Sequence, residues 1–228
     1  EKYYDALLED MVEQEAIYAD LLIEVTSFYR DIEAFEEIEK NVIPKICKMM
    51  SKDHQVRIWV PGCASGEEAY SLAILVAEHA RENDQHFNLK ILATDIHKRS
   101  LSAASAGIYS KEALSKMSRQ RVERYFEDTG DYHQVKPSLR RSVVFSPHDL
   151  MADPPFTRMD LVSCRNVLIY LTEDAQRKVL TLFHFALRKD GVLFLGPSET
   201  TGKLSREFDS ISQRWRIYKK RRNVRIFD

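Results

Sequence analysis

Cysteine is scarce: only Cys47, Cys63 and Cys164 occur in 228 residues. They are far apart and odd in number, which excludes a disulfide framework and fits buried thiols in a reducing compartment. No apolar stretch is long enough to cross a bilayer and no signal-peptide pattern is present, so a cytoplasmic location without membrane insertion is expected. The seven histidines make no ligand spacing with cysteine, and no metal site is expected. A net charge of -1 gives no general case for nucleic acid or a membrane surface as partner. Neither a Ser-His-Asp nor a Cys-His arrangement is apparent. The Gly-x-Gly-x-x-Gly loop of nicotinamide dehydrogenases is missing too. There are no internal repeats and no low-complexity tracts.

What is present suits one α/β domain with a small appendage: 44% hydrophobic and 30% charged residues in a chain long enough to bury a sizeable core. Charge is uneven. Residues 1–24 sum to -7 and residues 214–228 to +6, a pattern of solvated surfaces that also fits a domain cut from a longer chain.

The organising stretch is Val60-Pro61-Gly62-Cys63-Ala64-Ser65-Gly66-Glu67-Glu68. Ile58-Trp59-Val60 reads as a buried strand that Pro61 and Gly62 stop, and Gly66 permits a tight turn. Apolar positions Ala69, Leu72, Ala73, Val76 and Ala80 then mark one helix face. Strand, glycine loop and helix form the geometry that brings a small molecule against bare backbone. Two carboxylates at the helix start would repel a phosphate, which a helix N-terminus otherwise attracts. A cationic ligand, or one rich in hydroxyls and amines, is expected instead.

Elsewhere, residues 3–22 have the pattern of an acidic amphipathic helix. Asp31 is placed to cap a helix carrying Ala34, Phe35, Ile38, Val42 and Ile46. Leu89–Ile96 reads as a second parallel strand whose terminal Asp95 stands where nucleotide-binding sheets hold ribose hydroxyls. Residues 98–106 suggest a short helix. Residues 107–141 interrupt the alternation, with a helix near 118–127; residues 130–146 then look like short antiparallel strands, with Ser142–Phe145 rejoining the main sheet. Met159–Cys164 and Gly191–Gly196 read as buried strands around a helix at 173–188. Arg214–Lys219 alternates polar and apolar residues and reads as a terminal antiparallel edge strand.

Several motifs in order resemble the CheR-type chemotaxis receptor methyltransferases: PGCASGEEAYSLA, ILATDI, AGIYS, SCRNVLIY and LFLGPSE, with TSFYRD similar to that family's N-terminal segment. The resemblance covers roughly residues 24–219. It implies a Rossmann-like, doubly wound methyltransferase sheet with a C-terminal antiparallel edge strand, a small antiparallel β insertion at about 107–142 and a short N-terminal helical segment. Residues 1–50 would form that segment and the cofactor-covering motif, and 51–228 the S-adenosylmethionine-dependent domain. The implied activity is methyl transfer from S-adenosylmethionine to glutamate carboxylates on a chemoreceptor's cytoplasmic helices. By resemblance, Thr26, Arg30, Gly62, Glu68, Asp95, Asp149, Leu150, Asn166 and Val167 fall at cofactor-contacting positions. Arg30 and Tyr170 match the residues nearest the transferred methyl.

Some details depart from the family. Glu24 replaces asparagine and Asp149 replaces a frequent asparagine. The insertion is shorter than in relatives that grip a receptor's pentapeptide tether, so a tether site is not expected. Residues 1–24 are acidic where those relatives carry a basic docking helix, which implies a different receptor or docking surface. The ending resembles fusions with methylesterase or sensory domains. Two other readings stay open: a non-catalytic S-adenosylmethionine-binding signalling module, and a nucleic-acid methyltransferase. The second would rest on the basic tail and on Asp153-Pro154-Pro155-Phe156, which precedes a strand instead of following one.

Overall fold

In the computed structural model, residues 26–48, 50–52 and 54–224 are described; the expected helix at 3–22 lies outside them. Strand β1 (Val56–Pro61) forms because its residues can be buried on both faces. Ile58 and Val60 point to one core. Trp59 points to the other, with its indole N–H donating to Thr94 Oγ1 at 3.0 Å. On one side β1 pairs in parallel with β2 (Leu89–Asp95), which pairs with β6 (Val143–Pro147). On the other it pairs with β7 (Met159–Cys164), which pairs in parallel with β8 (Leu187–Leu195). The order is completed by antiparallel β10 (Ile217–Lys220) and then β9 (Phe208–Ser212), giving β6-β2-β1-β7-β8-β10-β9. Reading outward from β1, the strand order reverses between β1 and β7, and ligands bind at the carboxyl ends beside such a reversal.

Helices cover both faces. On one lie α1 (Ile32–Asn41), α2 (Ile43–Cys47) and α3 (Glu67–Glu82); on the other is α7 (Glu173–Ala186), whose Phe183 meets the Trp59 ring edge-on at 5.5 Å. Helix α3 is buried on more than the one expected face. Tyr70, Ile74 and Leu75 are buried as well, because α2 and the short α6 (Pro137–Arg140) pack against it. Between β2 and β6 the chain forms α4 (Lys98–Ala106), α5 (Arg119–Tyr125) and a separate antiparallel sheet, β3 (Ile108–Ser110), β5 (Tyr132–Val135) and β4 (Phe126–Asp128). Ser118 caps α5 through Arg121 N–H.

Three expectations need correction. The C-terminal strand is antiparallel as expected, but β9 forms the sheet edge and β10 is paired on both sides. Strand β8 begins at Leu187, not Gly191, with a register shift that absorbs its polar start. Asp31 sits at the N-cap of α1 but makes no side-chain cap hydrogen bond; its backbone is left-handed and its carboxylate reaches Arg165 instead. Among the described residues no helix is long and apolar enough to cross a membrane.

Candidate active site

Two adjoining hollows open at the carboxyl ends of β1, β2, β6 and β7. The larger, about 330 Å³, is lined by Gly62, Ala64, Asp95, Asp149, Leu150, Asn166, Val167 and Tyr170 among others. The smaller, about 130 Å³, shares Gly62, Asn166, Val167 and Tyr170 and adds Thr26, Arg30, Glu68 and Arg165. All ten residues singled out from the sequence therefore border one continuous region. A larger cavity of about 820 Å³ lies elsewhere, against β8, β9 and β10.

The glycine loop is shaped by what surrounds it. Gly62 has φ +67°, and a Cβ there would lie 2.4 Å from Val167 Cγ2, so backbone alone fits between β1 and the turn after β7. Gly66 begins α3 in the left-handed region (φ +92°). Asp95 holds the loop from the next strand: one carboxylate oxygen accepts the Ala64 N–H at 2.9 Å and the other the His97 N–H at 3.0 Å. Each oxygen keeps further lone pairs for a ligand.

The two acids opening α3 have different fates. Glu67 is buried and accepts from Ser65 Oγ at 2.8 and 3.0 Å, and it does not line the hollows. Glu68 does. Its carboxylate accepts from Ser163 Oγ at 2.7 Å and lies 3.5 Å from Arg165 Nη1. Burial raises its proton affinity, against the pull of Arg165 and Ser163. Of the two acids opening α3, only Glu68 contributes to rejecting a phosphate, together with Asp95 and Asp149 along the same region.

The turn after β7 contributes the other wall. Asn166 has φ +60°. Buried Glu199 holds this turn by accepting four backbone N–H bonds, from Asn166 (3.1 Å), Val167 (2.9 Å), Leu168 (2.8 Å) and Gly196 (2.6 Å). Asn166 lines both hollows, and its Oδ1 is buried without a hydrogen-bond partner. Tyr170 closes a short 3-10 turn and is 66% exposed, so it stands at the mouth. At the far end Asp149 is exposed and its Oδ1 accepts the Met151 N–H at 2.7 Å.

Sequence reasoning assigned no role to Ser163, Arg165 and Glu199. All three lay inside quoted motifs. The available signal was a charged residue within or just beyond a strand-like apolar run, which must be paired to be buried. Arg165 answers it. Its side chain is 1% exposed and bonds the Arg30 carbonyl at 3.0 Å and the Asp31 carboxylate at 2.5 Å, with Phe35 and Phe194 rings on its flanks.

The CheR methyltransferase SAM-binding domain matches residues 24–217. The chain belongs to the CheR methyltransferase family. It is 38% identical over 216 residues to an uncharacterized 104.1 kDa protein of Rhodobacter capsulatus, a match spanning 95% of this chain but only 23% of that protein. It is 34% identical to a chemotaxis protein methyltransferase of Listeria monocytogenes, over 87% of this chain and 73% of that one. Against chemotaxis protein methyltransferase 1 of Pseudomonas aeruginosa the identity is 34%, over 82% and 69%. The family's cofactor is S-adenosylmethionine, and the residues present fit it. The lining is rich in acceptors: Asp95, Glu68 and the unpaired Asn166 Oδ1 suit hydroxyls, an ammonium and a positive sulfur, and Arg165 is already paired with two acids. Among the described residues no group of three acidic, histidine or cysteine side chains could hold a metal.

Proposed function

We propose that this chain transfers a methyl group from S-adenosylmethionine to glutamate side-chain carboxylates on the cytoplasmic helices of a chemoreceptor, forming methyl esters. The observation that carries the reading is that Arg30 and Tyr170 border the same hollow as Gly62, Glu68 and Asn166. Bound S-adenosylmethionine supplies a methyl group on a positively charged sulfur. A glutamate carboxylate has an ordinary pKa of about 4.3 and is already a nucleophile at neutral pH. No general base is required, and none is assigned.

What the protein contributes is placement and exclusion of water. Arg30 can align a carboxylate with two parallel N–H bonds. The same bonds damp the nucleophile by stabilising its charge, so its role is orientation. Tyr170, at the mouth, shapes the methyl pocket and offers a hydroxyl to the incoming carboxylate. Thr26 and Arg30 cover the cofactor. Asp95 would receive the ribose hydroxyls, Asp149 and Leu150 would flank the adenine, and Glu68 would accept from polar groups of the cofactor, with Gly62, Asn166 and Val167 forming the wall common to both hollows.

Several finer features belong to the same proposal. Residues 1–50 act as the cover and 51–228 as the transferase domain, working in the cytoplasm and not on nucleic acid. The domain is part of a larger signalling protein with methylesterase or sensory domains, in keeping with its small share of the Rhodobacter protein. Action without a pentapeptide tether belongs to the proposal too, on the shorter insertion segment seen in the sequence.

The test is tritiated methyl transfer to membranes containing candidate receptors, reading base-labile volatile counts. Base-stable label would exclude a carboxyl ester. Binding of S-adenosylhomocysteine with no transfer to any receptor would favour a non-catalytic signalling module. Removing a receptor's last five residues should leave the rate unchanged.

A further inference from the structure

We infer that Arg165 is a positioning residue that holds the Arg30-bearing strap over the cofactor pocket through the Asp31 carboxylate. The strap is residues 26–31. Two of its side-chain-bearing residues lie in the left-handed region, Tyr29 (φ +50°) and Asp31 (φ +60°), on either side of Arg30. Such conformations persist only where surrounding contacts over-determine them.

Those contacts divide cleanly. On the Tyr29 side, the backbone N–H donates to Ser71 Oγ of α3 at 3.1 Å, and Phe28 meets Tyr109 and Phe126 of the insertion edge-on. On the Asp31 side the polar anchor is Arg165, which takes both the Arg30 carbonyl and the Asp31 carboxylate. Glu68, 3.5 Å from the same guanidinium, is the third member. One cation therefore sits between two acids, joining the strap to the floor of the pocket. The rings of Phe35 and Phe194, centred 5.4 and 4.6 Å away, fix the guanidinium from its flanks. A planar fork holds its donors at fixed spacing and stacks between the two rings, whereas a lysine ammonium, though it has three donors, offers neither the fork geometry nor a face to stack.

Asp31→Asn removes the charge from the strap's side-chain link to the floor, leaving a neutral acceptor and the Arg30 carbonyl bond. Asparagine tolerates the left-handed backbone, the site is one-third exposed, and the Arg165–Glu68 pair survives. Arg165→Lys disturbs both partners. In the full chain, the measurements are kcat for methyl transfer to receptor membranes, the dissociation constant of S-adenosylhomocysteine, amide exchange of residues 27–31 and the thermal midpoint.

The inference rests on the proposed activity for its kinetic arm only. Asp31→Asn should lower kcat at least tenfold and speed exchange of 27–31 at least tenfold, with ligand affinity changed less than threefold. Arg165→Lys should do both and weaken ligand binding as well. The double variant should lose no more kcat than the worse single. Wild-type kcat and exchange in Asp31→Asn would overturn the inference. So would losses of activity and affinity in equal proportion to the loss of folded protein, the signature of a merely structural residue. If Arg165→Lys fails to fold, Asp31→Asn decides alone. If the wild-type protein binds the ligand but methylates nothing, the activity proposal falls and the exchange arm still decides this one.

Discussion

Glu199→Gln changes one atom and should be costly. Oε1 accepts from Val167 and Leu168, and Oε2 from Asn166 and Gly196, all through backbone N–H groups at 3.1 Å or less. A glutamine can accept on one side only. Its NH₂ then faces two N–H donors that have lost their acceptor. Two hydrogen bonds to a charged group, each worth about 1.5–3 kcal/mol, are lost. Removing a carboxylate that is only 4% exposed gives back part of its desolvation, which in real proteins is several kcal/mol per ion. A net loss of about 2–3 kcal/mol should remain, or roughly 5–10 °C in thermal midpoint for a chain of this size. Because the loosened turn carries Asn166 and Val167, S-adenosylhomocysteine should bind about tenfold more weakly. Differential scanning calorimetry with and without that ligand measures both. A midpoint within about 1 °C of wild type would refute the claim that one carboxylate holds the turn. A lowered midpoint with unchanged affinity would refute the claim that the turn shapes the pocket.

Gly62→Ala forces a side chain into the left-handed region, at about 1–2 kcal/mol, and drives its Cβ toward Val167 Cγ2. Val167→Ala should relieve the clash but not the backbone cost, so a double-mutant cycle by urea unfolding should show favourable coupling of at least about 1 kcal/mol. Additivity would mean the contact is not tight. His184 is buried, and burial together with Lys220 lowers its proton affinity from the ordinary His value. With the folded pKa below the unfolded one, its contribution is present above about pH 6.5 and lost as pH falls through the folded value. The urea midpoint should therefore drop below that pH, and His184→Leu should flatten the drop; an unchanged slope would reject His184 as the cause.

The sheet was legible because its strands announce themselves chemically. Ile58-Trp59-Val60, Leu89–Ile96 and Met159–Cys164 are apolar runs that end at turn or acid signals, and each became a parallel strand. Of the short antiparallel strands expected at 130–146, β5 formed, but 137–140 is helical and the partners of β5 lie at 108–110 and 126–128, where no local pattern marked a strand. Local pattern could not tell that β10 slots between β8 and β9, since an alternating strand reads the same at an edge and inside an antiparallel pair. The site was legible where residues stand at strand ends, as with Asp95 and Gly62. Its supports were not, because pairing over distance decides them: Glu199 lies over thirty positions beyond the turn it holds, and Arg165 meets an aspartate 134 positions earlier. Asp31 shows the same limit. Its position predicted a cap, and a buried arginine claimed the carboxylate instead.

The placement of β10 also sets a timetable for the nascent chain. Strand β9 emerges first, yet its ladder partner in the sheet is β10, made after it. Until Ile217–Lys220 leave the ribosome, β8 keeps an open edge and β9 has nothing to join. An unpaired edge of that kind is a template for mispairing with another chain. By then β1, β2, β6 and β7 are already synthesised, so the pocket walls exist before the sheet behind them is sealed. The last four residues of the sheet therefore act as its clasp, and a stalled or shortened chain would carry a complete-looking site on a fold with an exposed side.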